Sequence, residues 1–202
     1  MKKVTNLLIL ALCAALLLCG CSKKLPKGSV GVVVDPEPNP DLQVADCYTY
    51  VENVDSTYTY NVKWRGGGIL HAVQKVERPL TFEVGGEDLL AICDQKSTGI
   101  LNRVAVFCDI ERGRVSNALG GYLGAAGNRA AFLEERTGAY HIFVCYPFDP
   151  LEYTGVTTLT GLEIAEGGDI LESYKMSEEG VLTVTYHTAQ GSKTVTVNLT
   201  AE

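Results

Sequence analysis

Apolar and polar residues alternate with a period of two along most of this chain, and this pattern constrains the fold more than any other feature. Turn residues recur roughly every eight to twelve positions, and helical spacing is nearly absent. The clearest hairpin joins 181–187 to 193–199 through the turn 189–192, and the apolar side chains of both strands share one face. The pattern predicts an all-β fold, an antiparallel meander or β-sandwich built of hairpins.

The same criteria place strands along the chain from residue 46 onward. The predicted strands are 46–52, 57–64, 69–76, 80–84, 89–95, 103–110, 114–118, 129–134, 140–146, 170–176, 181–187 and 193–199. Two glycine-rich stretches, 66–68 and 117–128, are predicted to be loops where strands cross closely. Neither stretch has the residues of a phosphate-binding loop or a following helical pattern. We therefore expect no nucleotide cofactor.

Two segments, 104–115 and 130–140, share one order of features: an apolar strand, an acidic residue, a basic turn, a glycine and the next strand. This order resembles the hairpin of a β-propeller blade, and the resemblance covers about residues 88–150. It implies a small or partial β-propeller as the alternative fold. A domain of about 160 residues has room for about four blades of ~40 residues each, so we expect an open meander or packed sheets before a closed ring.

Residues 1–20 have the features of a secretory signal peptide. A basic start at Lys2 and Lys3 precedes an apolar stretch, 4–18, which is shorter than the roughly 20 residues of a membrane span. The run Leu18-Cys19-Gly20-Cys21 resembles the lipobox of bacterial lipoprotein precursors. This resemblance implies cleavage before Cys21, lipid attachment at Cys21 and an extracytoplasmic location at the cell envelope. Cys19 is the rival acceptor, but it would put bulky Leu18 at the cleavage site.

Residues 21–43 are predicted to be a lipid-anchored tether, and 44–202 a single all-β domain. The tether is polar near its start and carries prolines at every second position from 36 to 40, which favours an extended, semi-rigid chain. The apolar segment 30–34 within it is an alternative short strand that would pair with the domain. The length of 44–202 is within the usual size of one domain.

The charge balance bears on the partners. Without residues 1–20 the chain has 15 basic and 24 acidic residues, a formal charge of −9. Such a balance disfavours nucleic acid and anionic lipid headgroups as partners. The expected contact with the membrane is therefore the lipid anchor itself.

Four cysteines follow the lipid site, at positions 47, 93, 108 and 145, and each lies inside an apolar, strand-like run. An even number in an exported chain permits two disulfides, whereas buried free thiols behave as small hydrophobes, so both states stay open. Cys93 and Cys108 flank the turn around 100–101 almost symmetrically. This spacing predicts that the two side chains contact each other across a hairpin without a covalent bond.

Five aromatic residues of one hairpin form a candidate ligand platform: Tyr48, Tyr50, Tyr58, Tyr60 and Trp64. Alternation places them on one face of the two strands. Folding the hairpin about position 54 predicts a ladder with Tyr50 opposite Tyr58 and Tyr48 opposite Tyr60. An exposed ladder would stack on sugar rings or grip a peptide, and a buried one would be core. The polar opposite face of the hairpin favours burial.

Signatures of metal binding and catalysis are weak. His71, His141 and His187 are far apart, and none has a second ligand residue at a metal-binding spacing. The densest acidic residues fall at predicted turns without the spacing of a Ca²⁺ loop, and the chain has no G-x-S-x-G nucleophile motif. We therefore assign no catalytic residue, no metal ligand and no cofactor.

These features predict a cell-envelope lipoprotein whose all-β domain binds or scaffolds a glycan or a protein without catalysis. The alternative is a surface hydrolase acting on glycan or peptide, because the fold alone can bring two carboxylates together. A hydrolase needs a polar cleft where its catalytic groups converge. A binding module needs an exposed aromatic or apolar patch.

Overall fold

The computed structural model describes residues 37–164 and 168–201, which form four antiparallel β-sheets that follow one another along the chain. The predicted fold class, all-β and built of antiparallel hairpins, is confirmed. Within these residues no helix has the length and apolar character needed to cross a membrane.

Each sheet is a meander of consecutive strands. Sheet A contains β1 (Tyr48–Glu52), β2 (Tyr58–Lys63) and β3 (Ile69–Val76). Sheet B contains β4 (Thr81–Val84), β5 (Leu89–Gln95), β6 (Arg103–Asp109), β7 (Arg114–Val115) and β8 (Leu119–Gly120), with β7 and β8 both paired to β6. Sheet C contains β9 (Tyr122–Ala126), β10 (Arg129–Arg136), β11 (Ala139–Cys145) and β12 (Tyr153–Thr158). Sheet D contains β13 (Ser173–Met176), β14 (Val181–Thr188) and β15 (Gly191–Asn198). Two short 3-10 helices, Val44–Asp46 and Ile100–Asn102, precede β1 and β6.

Three clusters of buried side chains join these sheets in series. The first, around Ile92, lies between sheets A and B; the second, around Phe107, between B and C; the third, around Val184, between C and D. Among the described residues no cluster joins sheet A to sheet D. The first strands of sheets B and D, β4 and β13, both contact the first strand of sheet C, β9. The result is an open stack of sheets in which B and C are covered on both faces.

The glycine-rich stretch 117–128 contains two strands, β8 and β9, so its prediction as a loop was wrong. Its glycines are where β9 approaches its neighbours most closely. A Cβ built at Gly124 would lie 2.7 Å from Met176 Cε, and one at Gly121 would lie 2.1 Å from the backbone oxygen of Leu133. Gly121 also has a φ of +70°, beside a bulge in the β9–β10 pairing. β12 was also not predicted.

The register of the first hairpin differs from the prediction by two residues. Tyr50 lies opposite Tyr60, and Tyr48 opposite Val62, because the connection spans five residues, 53–57. The backbone N–H of Asn53 donates to the carbonyl of Thr57 at 2.7 Å and closes this turn. A shift by an even number leaves every side chain on its predicted face.

The predicted contact between Cys93 and Cys108 was wrong. Cys93 lies opposite Ala105, three residues from Cys108, and Cys108 lies opposite Leu90. An odd shift puts the two thiols on opposite faces of sheet B, so they belong to different core clusters. The 3-10 helix Ile100–Asn102 and Gly99, with a φ of +93°, form the connection between β5 and β6. The residues in this connection do not pair, so the register differs from that of a symmetric turn.

All four cysteines of the described residues are buried free thiols. Burial raises the pKa of Cys93 and Cys108 to about 12, and that of Cys47 and Cys145 to about 11. A thiol is nucleophilic only when ionised, so these cysteines act as small apolar core residues.

The segment before β1 is bonded to the sheets. The backbone N–H of Asn39 donates to the carbonyl of Arg65 at 2.8 Å, and the Arg65 Nε donates to the carbonyl of Leu42 at 3.1 Å. The Leu42 side chain packs against the cluster between sheets A and B. Residues 39–43, which the sequence assigned to the tether, are thus part of the folded domain.

Candidate functional site

The turns that follow β2, β4, β6, β9 and β11 meet at one end of the stack, which we call the turn end. The Arg65 N–H donates to the carbonyl of Ile110 at 2.9 Å, and the Asn128 N–H donates to that of Gly85 at 3.0 Å. The turn end also holds Asp109, the one charged residue that is buried within the described parts of the chain, at 2% exposure. A buried carboxylate is costly unless hydrogen-bond donors surround it, so the groups around Asp109 must supply them.

Asp109 ends β6 and shapes the turn that follows. Its Oδ1 accepts from the backbone N–H of Arg112 at 2.8 Å. Its Oδ2 accepts from Arg112 Nη1 at 3.2 Å and from the hydroxyl of Tyr146. Gly113, with a φ of +62°, completes the turn in a conformation that favours glycine. This is the Asp-to-Gly step of the repeat seen in the sequence.

These hydrogen bonds decide the protonation state of Asp109. Burial acts to raise the pKa of its carboxyl, but the bonds from the Tyr146 hydroxyl and from Arg112 outweigh burial and hold the pKa below its ordinary value. Burial and the bond to Asp109 raise the pKa of Tyr146, so this phenol keeps the proton that it donates. Asp109 is therefore an ionised acceptor that holds its neighbours in place.

Two arginines reach solvent above this carboxylate. Arg112 Nη1 and Arg114 Nη2 both donate to the hydroxyl oxygen of Tyr146, at 3.0 and 2.9 Å. The Arg114 guanidinium carbon lies 4.9 Å from the ring centre of Phe148 and 5.5 Å from that of Tyr146. The side chains of Arg112 and Arg114 remain 62% and 43% exposed. We call Arg112, Arg114, Tyr146 and Phe148 the arginine corner.

Two guanidinium groups of the arginine corner face a single buried carboxylate, Asp109. A third arginine of the turn end, Arg65, differs from this pair. Its Nη1 contacts Asp88 Oδ1 at 2.6 Å and Glu111 Oε2 at 2.8 Å, and its side chain is only 17% exposed. Arg65 is therefore a structural link between turns, whereas Arg112 and Arg114 present donors to solvent.

The predicted aromatic residues of the first hairpin face sheet B. The rings of Tyr48 and Phe82 stack with centroids 4.3 Å apart, and those of Tyr50 and Tyr58 with centroids 5.4 Å apart. Tyr60 is 4% exposed, and its hydroxyl lies 3.1 Å from His71 Nε2. Burial raises the pKa of Tyr60 to about 12. This packing favours the core interpretation over a flat platform for a ligand.

Trp64 lies just after β2, partly buried against the backbone of two glycines. A Cβ built at Gly66 would lie 2.2 Å from Cη2 of the indole, and one at Gly113 would lie 2.5 Å from Cε3. An open cleft of about 400 Å³ runs beside the indole, between Leu42 and Ile69. The ring is thus held between the turns of sheets A and B.

The other site residue predicted from the sequence, Cys21, lies outside the described residues. Within those residues, no three His, Cys, Asp or Glu side chains come together as a metal site would require. The arginine corner itself was not predicted, because Arg114 and Tyr146 are 32 residues apart, one in β7 of sheet B and the other in the loop after β11 of sheet C. Its one local signal is the Asp-to-Gly turn at 109–113, which carries the first arginine.

Comparison of the chain with protein-family models, with curated proteins and with solved structures gave no match.

Proposed function

We propose that this protein is a lipid-anchored, non-catalytic binding module of the cell envelope, and that its arginine corner binds a glycan that carries carboxylate or sulfate groups. The observation that carries the proposal is the pair of exposed guanidinium groups, Arg112 and Arg114, held by the hydroxyl of Tyr146 above a buried carboxylate. The lipid anchor rests on the lipobox-like run that ends at Cys21.

The corner is suited to oxyanions for two physical reasons. A guanidinium group presents a planar set of N–H donors that matches a carboxylate or a sulfate, and bonds between charged partners are the stronger ones. Stacking on Tyr146 and Phe148 restricts Arg114 before binding, which lowers the entropy lost on association.

The same corner suits a glycan because it combines donors with ring surfaces. The rings of Tyr146 and Phe148 lie 5.2 Å apart and are partly exposed, so they offer apolar contact to the C–H face of a sugar. The pKa of Asp109 is lowered, so this buried carboxyl group does not have the raised pKa that a general acid needs.

We expect the double variant Arg112→Gln, Arg114→Gln to bind polygalacturonate and dextran sulfate at least about tenfold more weakly than wild type. Each lost bond between charged groups is worth roughly 1.5 to 3 kcal/mol, which corresponds to about tenfold or more in affinity. Affinity electrophoresis of the full-length protein in detergent measures this loss, with neutral dextran as the comparison polymer. Added salt should weaken the wild-type binding, because the groups are exposed.

The matched control is Arg78→Gln, which removes an exposed arginine that pairs with Asp94 away from the turn end. This variant should bind both polyanions as wild type does. Equal binding by wild type and the double variant, or equal binding of neutral dextran, would remove the arginine corner as the site. Release of reducing ends from the polymer would favour the hydrolase alternative instead.

The anchor has its own test. Replacing Cys21 with alanine should release the protein from membranes or leave it unprocessed, because the acceptor thiol is gone. Cys19→Ala is the control and should keep both processing and membrane attachment. The measurement is incorporation of a fatty-acid probe together with membrane fractionation. Unchanged labelling of the Cys21→Ala protein would contradict the assignment.

A further inference from the structure

A second arginine rests on aromatic rings on the same side of sheet C. The Arg136 guanidinium carbon lies 4.1 Å from the ring centre of Phe143 and 4.9 Å from that of Tyr153. These two rings are 4.5 Å apart, and Nη2 of Arg136 also donates to the hydroxyl of Tyr153. Arg136 keeps 43% of its side chain exposed. We call Arg136, Phe143 and Tyr153 the distal group.

The distal group and the arginine corner are neighbours along the end of β11. Tyr153 and Phe148 both pack against the cluster between sheets B and C, beside Cys145. Tyr153 pairs with Cys145 in the β11–β12 ladder, and Tyr146 follows Cys145 directly. Tyr146 and Tyr153 therefore both lie next to Cys145.

The two groups are spaced along β11. Tyr146 follows the last residue of β11, and the Arg136 side chain, which starts beside Ala139 at the other end, reaches over Phe143 to the hydroxyl of Tyr153. Phe143 lies three residues before Tyr146, which at ~3.3 Å per strand residue separates the two groups of rings by roughly 10 Å. One sugar unit is shorter than this distance, whereas a chain of several units spans it.

The two groups differ in charge. Arg136 Nε and Nη2 contact Glu134 Oε2 at 3.0 and 2.7 Å, so the distal group is neutralised by a carboxylate that is itself 41% exposed. His141, the cross-strand neighbour of Glu134, lies 3.0 Å from the Thr158 hydroxyl and adds a further polar ring. The distal group thus offers the Tyr153 ring and hydrogen bonds, while the arginine corner offers two guanidinium groups above one buried carboxylate.

We infer that the ligand of this surface is an acidic polysaccharide that occupies the arginine corner and the distal group at once. This inference rests on the proposed function. Occupying two linked subsites raises the affinity of a chain above that of its monomer without new kinds of contact, because the second contact forms within the complex.

The test compares galacturonate, its octamer and polygalacturonate on the full-length protein in detergent by isothermal titration. Wild type should bind the octamer on the order of tenfold or more tightly than the monomer, at equal concentrations of sugar units. Arg136→Gln should lose most of this gain and keep the affinity for the monomer. Arg78→Gln should behave as wild type. Thermal unfolding of each variant checks that it is folded.

A second variant should change octamer binding in the opposite direction. Glu134→Gln removes the carboxylate that pairs with Arg136, so the distal group gains positive charge. This variant should therefore bind the octamer more tightly than wild type does. This outcome does not depend on whether Arg136→Gln folds.

The outcomes distinguish failure of the second subsite from failure of the proposed function. If wild type binds no polygalacturonate, the proposed function fails. If wild type binds the polymer but shows no dependence on chain length, or if Arg136→Gln and Glu134→Gln leave octamer binding unchanged, the second subsite is overturned and the arginine corner stands alone.

Discussion

Trp64→Ala should lower the stability of the domain by about 3 to 5 kcal/mol, a large share of what a typical domain has. The indole packs against the cluster between sheets A and B and against the backbone of Gly66 and Gly113, so its loss leaves a gap that the two turns cannot fill. For a domain of this size the melting temperature should fall by roughly 6 to 20 °C, measured by circular dichroism.

Two further variants sharpen this test. Gly66→Ala should destabilise the wild type, since the new Cβ would lie 2.2 to 2.5 Å from three indole atoms, but it should cost little once Trp64 is alanine. Val54→Ala is the control, because Val54 is fully exposed at the tip of the first hairpin. A shift below about 2 °C for Trp64→Ala, with loss of glycan or peptide binding, would instead establish the aromatic hairpin as a ligand platform.

Asp109→Ala is expected to cost on the order of 3 kcal/mol near neutral pH. It removes the acceptor of three hydrogen bonds, from the Arg112 backbone, the Arg112 side chain and Tyr146, and bonds of this kind to a charged group contribute roughly 1.5 to 3 kcal/mol each without adding fully. The arginine corner loses its support at the same time, so polyanion binding should weaken as well. Denaturant unfolding and affinity electrophoresis measure the two effects.

The loss of stability caused by Asp109→Ala should depend on pH in a defined direction. The folded-state pKa of Asp109 lies below the ordinary value of ~3.9, so the carboxylate contributes its full stability above about pH 4 and loses it as the pH falls through the folded-state pKa. The stability difference between wild type and Asp109→Ala should therefore shrink as the pH is lowered from about 6 to about 3. Asp149→Ala, which removes an exposed carboxylate from the loop after Tyr146, should show no such change.

The strands were predictable from sequence where one face of a strand is buried and the other is polar. In the hairpin of β14 and β15, Leu182 lies opposite Val197 and Val184 opposite Val195, as the alternation predicts. β9 was missed because Gly124 and the two alanines after it leave no apolar period to recognise, although close packing against Met176 is what selects a glycine at position 124.

Strand registers and the arginine corner were harder to predict from the sequence, for a physical reason. A register depends on how many residues a turn absorbs, and the positive φ of Ser56 and of Gly99 has no clear signature in alternation. The arginine corner depends on contacts between β7 and the loop after β11, which no local pattern encodes. Alternation reports which face a side chain occupies, and says little about which distant side chains share that face.

Joining the sheets in series gives the domain a nearest-neighbour energetics, as in repeat proteins, where stability is close to a sum of unit and interface terms. Trp64 acts on the A–B interface, and its indole also packs on Gly113, which lies between the two arginines of the arginine corner. A change at the A–B interface therefore reaches the turn that carries Arg112 and Arg114. Sheet A, which follows the N-terminal segment in the chain, thus supports from behind the turn that presents these arginines to solvent.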